Sequence, residues 1–171
     1  MFRFIKLLLL VAFTSFSFAQ NSSSVTFVIK NLGVNVDGHF NTFEIDANLN
    51  SNDELVDLSG KITVSSIETG IDSRDEHLLE EDYFDTENHK YITLQSKTIR
   101  KNSDTEYSVD ADLSIKGKTK SISIPVTVRK QNDSFKITSY FEINRKDFDV
   151  GGGSFVMSKT VKIKVTHFQE N

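Results

Sequence analysis

From Val109 to Ile115, and again from Ile122 to Val128, the chain places an apolar side chain at every second position. Val109, Ala111, Leu113 and Ile115 fall on one side, with Asp110, Asp112 and Ser114 on the other. After a turn at Gly117-Lys118, Ile122, Ile124, Val126 and Val128 return along one face. A period of two cannot lay an apolar stripe along a helix; it describes a strand with one dry and one wet side, as in antiparallel sheets. The pattern recurs at Val25, Phe27 and Ile29; at Phe43, Ile45, Ala47 and Leu49; at Leu58, Gly60, Ile62 and Val64; at Ile92 and Leu94; at Phe135, Ile137, Phe141 and Ile143; and at Val161, Ile163 and Val165. Polar turns at 50–54 and at Asn132-Asp133 separate these runs, so the sequence predicts an all-β domain of about eight short strands, a barrel or a sandwich. Pro125 stands on the opposite face of its strand, where a missing N–H predicts an edge or a bulge.

One stretch breaks the alternation. Ser73-Arg74-Asp75-Glu76 has the form of a capping box, in which the Ser73 hydroxyl accepts from the N–H of Glu76 and the Glu76 carboxylate reaches back to the N–H of Ser73. With Asp75 and Glu76 favoured by the helix dipole, a short helix over roughly 74–82 is predicted, lying on the sheet or closing one barrel end.

The 171-residue chain fits one domain. Residues 1–19 read as a cleaved signal peptide: Arg3 and Lys6, an apolar run from Leu7 to Phe13, and Ser17-Phe18-Ala19 before Gln20. Residues 20–171 then form the domain, and the protein is expected to be exported, periplasmic or secreted, without stable membrane insertion. The chain has no Cys, which excludes disulfides and thiolate chemistry. Its formal charge of −4, with no basic stripe, argues against nucleic acid as a partner.

No motif carries a reaction. Gly117-Lys118-Thr119 lacks the upstream Gly of a phosphate-binding loop and precedes a strand. Gly151-Gly152-Gly153-Ser154 lacks the spacing of a nucleophile elbow and reads as a loop. His77 shares a helical face with Glu80 or Glu81, but a metal site would need a second His that the helix does not supply. The expectation is no enzyme, no cofactor and no metal.

Several short stretches, taken together, are specific. Ser66-Ile67-Glu68-Thr69-Gly70, Arg74-Asp75-x-His77-Leu78 and Tyr83-Phe84-Asp85 occur in order, after Leu32-Gly33 and Gly38-x-Phe40, and before Asp112-Leu113-Ser114-Ile115-x-Gly117-x-Thr119 and Arg145-x-Asp147-Phe148. From about Val25 to the last strand this resembles the YceI-like polyisoprenoid-binding family. The chain departs from the family at Asn31, where His is usual, at His89-Lys90, where Pro is usual, and after Phe148, where a Trp-Asn run gives way to Asp149-Val150. The resemblance implies an antiparallel, eight-stranded, lipocalin-like barrel with one short helix at a barrel end. It also implies an exported carrier or store for a long isoprenoid chain, polyprenyl or quinone-like, and no catalytic activity.

The residues alone leave the interior open, because an eight-stranded barrel can be filled by its own side chains or hold one ligand. If it holds a lipid, the inward set is Phe27, Ile29, Phe40, Phe43, Ile45, Ile62, Val64, Leu78, Leu79, Phe84, Ile92, Leu94, Leu113, Ile115, Ile124, Val126, Ile137, Phe141, Phe148, Val161 and Ile163. Arg74, His77 and Arg145 would orient a head group. A filled barrel acting as an envelope stress or interaction module is the alternative, with an enzyme at the barrel mouth behind it. A homodimer stays open.

Overall fold

The hairpin that dominates the sequence pattern also anchors the sheet. In the computed structural model, which describes residues 22–131 and 133–170, strands Glu106–Ile115 and Lys118–Gln131 pair from Ile115↔Lys118 to Glu106↔Thr127. The turn falls on Lys116 and Gly117, both at positive φ, rather than on Gly117-Lys118. At Gly117 a side chain would also meet the His89 ring at 2.7 Å, so Gly serves twice there.

The strands, in chain order, are β1 (Ser24–Asn31), β2 (Val34–Phe40), β3 (Phe43–Leu49), β4 (Leu55–Thr63), β5 (Ile67–Glu68), β6 (Tyr91–Lys101), β7 (Glu106–Ile115), β8 (Lys118–Gln131), β9 (Ser134–Asn144) and β10 (Met157–Glu170). They form one sheet in the order β3-β4-β6-β7-β8-β9-β10-β1-β2-β5, antiparallel at every pairing. The sheet curls on itself into a half-barrel. This corrects the expected eight-stranded barrel to ten strands; the added two are β2, whose apolar alternation is broken at Gly38, and β5, which is made locally. A 3₁₀ turn at Val64–Ser66 carries the chain out of β4 and lays two residues against β2, Ile67↔Phe40 and Glu68↔His39. A two-residue strand has no alternation to read. The corner after β2 is stitched to this turn: Asn41 N–H donates to Ser66 O, and Thr63 N–H to Thr42 O, each at 3.0 Å.

The helix α1 spans Asp72–Leu78, two residues earlier at its start and shorter than predicted. The expected capping box does not form; Ile71 is the N-cap and no side chain caps it. Instead the Asp75 carboxylate turns back to the loop and accepts the Thr69 N–H at 3.0 and 3.1 Å together with the Thr69 hydroxyl. The helix ends because the chain doubles back, with Phe84 N–H donating to Leu78 O.

Packing divides into two regions. A lower cluster holds Ala47, Leu55, Leu58, Tyr107, Val109, Ala111, Ile124, Val126, Val128, Phe135 and Ile137. An upper cluster, around Val64, Leu113, Ile115 and Phe148, receives Leu78, Leu79, Tyr83 and Phe84 from α1 and the turn after it.

Candidate functional site: an apolar cavity inside the curled sheet

The inward faces of β1, β4, β6 and β8 to β10 do not meet. They enclose a cavity of about 240 Å³. By this kind of measure one water needs roughly 10–15 Å³, so the space suits a chain of many atoms. Phe27, Ile29, Ile45, Ile62, Leu94, Phe141, Val161 and Ile163 line it from the sheet. Phe40, Ile92, Leu113, Ile115, Ile124, Val126, Ile137 and Phe148 line it from more enclosed positions, and Leu78 and Phe84 reach it from the helix side. A close approach fixes the Phe27 ring: the cross-strand neighbour is Gly38, where a Cβ would lie 2.3 Å from the ring.

Three of the apolar residues expected in the lining are elsewhere. Val64, on the 3₁₀ turn, is 1% exposed and enclosed in the upper cluster, against which Phe43 and Leu79 also pack. Alternation names a face but not whether its neighbours fill the space in front of it.

The three polar candidates separate. His77 points to solvent one residue round the helix from Leu78; its Nδ1 is 2.7 Å from Glu80 and its ring lies edge-on to Tyr83. It does not reach the cavity. Arg145 lines the cavity but is 3% exposed and fully engaged. Its Nε donates to Ser158 O, Nη1 to Val150 O and Gly152 O, and Nη2 to Ser154 O and Met157 O, at 2.6 to 3.4 Å. All five donors are spent, so Arg145 organises its own loop instead of orienting a head group. Burial pushes its pKa below the ordinary guanidinium value, opposed by Tyr83. Arg74 lines the cavity near α1, donating from Nε to Thr69 Oγ1 and from Nη2 to Thr69 O, both at 2.7 Å.

The lining also contains residues that the sequence reading passed over. Val25, Leu58, Ile143 and Val165 stand in the alternating runs already read from the sequence but outside the inward set drawn from them, and Val36 lies in β2. Asn31 and His167 share those phases but are polar, which hid them. Burial lowers the pKa of His167 from 6.5, opposed by Gln169 and by the Asp46 carboxylate, so the ring is neutral at neutral pH. Among the described residues no group of His, Asp and Glu gathers to hold a metal.

At the cavity end where β1 turns into β2, apolar side chains stand in solvent. Leu32, Val34, Phe155 and Val156 are 75%, 67%, 104% and 54% exposed, and Leu32 N–H donates to Val156 O across the rim. Asn31, Val36 and Met157 line the cavity just inside.

Comparison with known proteins gives a consistent picture. The family model for the YceI-like domain matches residues 16–167. A UPF0312 protein of Staphylococcus epidermidis is 38% identical over 109 residues, 62% of this chain; the chain spans 60% of that relative's length. A UPF0312 protein of Staphylococcus aureus is 30% identical over 90% of this chain and 95% of its own length. Among solved structures, Burkholderia cenocepacia BcnA superposes with a TM-score of 0.80 at 25% identity, covering 85% of this chain and 95% of that one. A polyisoprenoid-binding domain from Saccharophagus degradans, implicated in plant cell wall breakdown, superposes with a TM-score of 0.71 at 19% identity, over 86% and 93% of the two chains.

Proposed function

The chain belongs to the YceI-like family, and from that premise we propose that it is an exported protein that holds one long isoprenoid chain, polyprenyl or quinone-like, inside its curled sheet, as a carrier or store. The observation that carries the reading is the cavity itself: open space walled by Val, Ile, Leu and Phe from strands that a packed barrel would have closed. The polyisoprenoid-binding domain of the same fold supports the choice of lipid.

Magnitudes favour the tail over the head. Each buried CH₂ contributes about 0.8 kcal/mol, so a five-carbon isoprene unit gives roughly 4. Five units give about 20, against association costs of roughly 4–15. A salt bridge at the exposed rim adds at most about 1 kcal/mol. Affinity therefore follows chain length, and Arg74 is left to place a head group on the α1 side of the cavity. On this reading the protein binds and releases a lipid without making or breaking a bond. The exposed Leu32, Val34, Phe155 and Val156 at the cavity end support exchange with a bilayer, with Lys30 and Lys159 exposed nearby to meet anionic head groups. A barrel filled by its own side chains would need none of this space.

Export rests on residues 1–19, which lie outside the described residues. The test of the whole reading is intact-mass and organic-extract analysis of the protein secreted from a lipid-rich bacterial host. The expected result is a mature chain starting at Gln20 with one bound long-chain isoprenoid. A lipid-free mass from such a host would end the carrier reading, and a mass retaining residues 1–19 would end the export reading.

A further inference from the structure

Two loop tips at one end of the cavity hold apolar side chains out in solvent, and each is held there by its own backbone. The first is the turn from β1 to β2. Leu32 and Gly33 both have positive φ, 51° and 81°, the geometry of a tight hairpin turn whose first central position favours Asn or Gly. A bulky residue in that region is uncommon and strained, yet here it is Leu, 75% exposed. The second tip is the loop before β10. The buried Arg145 guanidinium takes the carbonyls of Ser154 and Met157, and between those two fixed points stand only Phe155 and Val156, 104% and 54% exposed. Leu32 N–H donates to Val156 O, which joins the tips. The loop is thus fastened on both sides of the phenylalanine it presents.

The charge around the tips has one sign. Residues 29–36 and 150–161 contain Lys30 and Lys159 and no acid, in a chain of formal charge −4. Both lysines are exposed and fall in the same bulge, where the β1–β10 ladder skips from Ile29↔Val161 to Asn31↔Met157. The lysine ion pairs among the described residues engage Lys97, Lys101, Lys118, Lys130 and Lys162 and leave these two unpaired. The acids gather on the helix side. Glu76, Glu80, Glu81 and Asp82 are exposed on α1 and the turn after it, which meets the loop where Gly151 N–H donates to Asp82 O at 2.9 Å.

Resting on the lipid reading above, we propose that Leu32, Val34, Phe155 and Val156 form a two-pronged insertion element that enters an anionic bilayer, with Lys30 and Lys159 on the head groups and the acidic α1 side held off the surface. A second copy of this chain is the poorer occupant. Two like-charged rims repel, and four side chains on two loop tips fall short of the roughly 20–30 residues a side in a stable protein interface. A bilayer needs no matching surface: apolar tips enter the acyl boundary while adjacent lysines meet anionic lipids. Asn31, Val36 and Met157 line the cavity directly behind the tips, so docking sets the cavity mouth against the lipid. The prongs themselves do not line the cavity, so they act on docking and leave the affinity for cargo alone.

The experiment is co-flotation of delipidated protein with vesicles of phosphatidylcholine, with and without phosphatidylglycerol. It compares the wild type, Phe155→Ser, the double variant Lys30→Gln with Lys159→Gln, and the control Tyr140→Ser, an exposed aromatic on β9 away from the tips. The wild type should prefer the anionic vesicles about twentyfold, and the preference should shrink at high salt. Phe155→Ser should weaken vesicle binding about tenfold or more, and the double lysine variant should lose the preference for anionic lipid. Tyr140→Ser should match the wild type, and every variant should keep its Tm and bind geranylgeraniol offered without vesicles. Equal weakening by Tyr140→Ser, or no vesicle binding by a wild type that still binds geranylgeraniol, overturns the insertion element and leaves the lipid reading standing. Phe155→Ser that floats like the wild type but sediments as a smaller species overturns it too, and makes the tips a contact between copies. If vesicles are bound and geranylgeraniol is not, the docking surface stands and the isoprenoid cargo fails.

Discussion

Arg145 was legible in the sequence as part of a motif, and a motif arginine near a cavity invites a ligand role. The structure assigns it to the protein's own backbone, because the carbonyls of Val150, Gly152, Ser154, Met157 and Ser158 converge on a planar fork with five donors. Lysine offers three donors from one point and cannot span them. Arg145→Lys should therefore lower stability by about 3 kcal/mol or more, read as the urea midpoint, with faster amide exchange confined at first to residues 150–158. An unchanged midpoint would show that the loop holds without the fork. Gly38 is a second such position: Gly38→Ala pushes the Phe27 ring into the cavity, which should cost about 1–3 kcal/mol and reduce lipid occupancy in extracts. His167 makes a pH prediction. Its folded-state pKa lies below 6.5, so in that window the unfolded chain binds the proton more readily. Stability is then fully present above the ordinary imidazole value and falls as pH drops below it, with Asp46 moderating the loss. Asp110 and Asp112, held low by Arg100 and Lys97, lose their contribution only at more acid pH, below the ordinary carboxylate value of 3.8. His167→Asn should flatten the first step and leave the second; a curve identical to wild type near neutrality would refute the assignment.

Elements were legible where they repeat and illegible where they are made by contacts. The β7–β8 hairpin follows from alternation and from Gly117. Pro125 also reads correctly: its carbonyl accepts from Ser139 Oγ at 2.7 Å, and the β8–β9 ladder ends one residue later, at Val126↔Ser139. Toward the chain start from there, β8 pairs only with β7. The missing N–H thus falls where the sheet parts, as an edge requires. By contrast β5 is a strand only because the Val64–Ser66 turn delivers two residues to β2. The start of α1 is set by Asp75 and Arg74 both closing on Thr69, a tertiary loop bond that a local capping pattern cannot foresee. That knot has a test. Thr69→Val removes the hydroxyl that Arg74 Nε donates to and that Asp75 accepts from, which should cost about 1 kcal/mol. Amides of α1 should exchange faster while those of β7 and β8 keep their protection. Unchanged exchange in α1 would mean that Leu78, Leu79, Tyr83 and Phe84 hold the helix by packing alone.

At the scale of the whole molecule, the question that alternation could not answer is whether the inward faces touch. A strand facing a packed core and one facing open space have the same sequence period, so the all-β class was readable and the cavity was not. The two cases differ in how they answer added volume. Val109 is fully buried within the lower cluster, and enlarging a well-packed core costs about 1–3 kcal/mol. Ile163 faces the cavity from the middle of β10, where added carbons meet open space. Val109→Phe should therefore destabilise the protein by about 1–3 kcal/mol, a fall in Tm of a few degrees for a domain of this size. Ile163→Phe should leave the Tm of the delipidated protein nearly unchanged. With lipid, the order changes. Bound at a hundred times its Kd, a ligand adds about 2.7 kcal/mol to the folded state, so the loaded wild type should melt several degrees above the delipidated form. Ile163→Phe, with part of the cavity occupied by its own ring, should lose most of that increment. If both substitutions destabilise the delipidated protein alike, the space in front of Ile163 is closed in solution and there is no room for a chain. If Ile163→Phe is tolerated and still gains the full increment, the lipid sits elsewhere on the molecule.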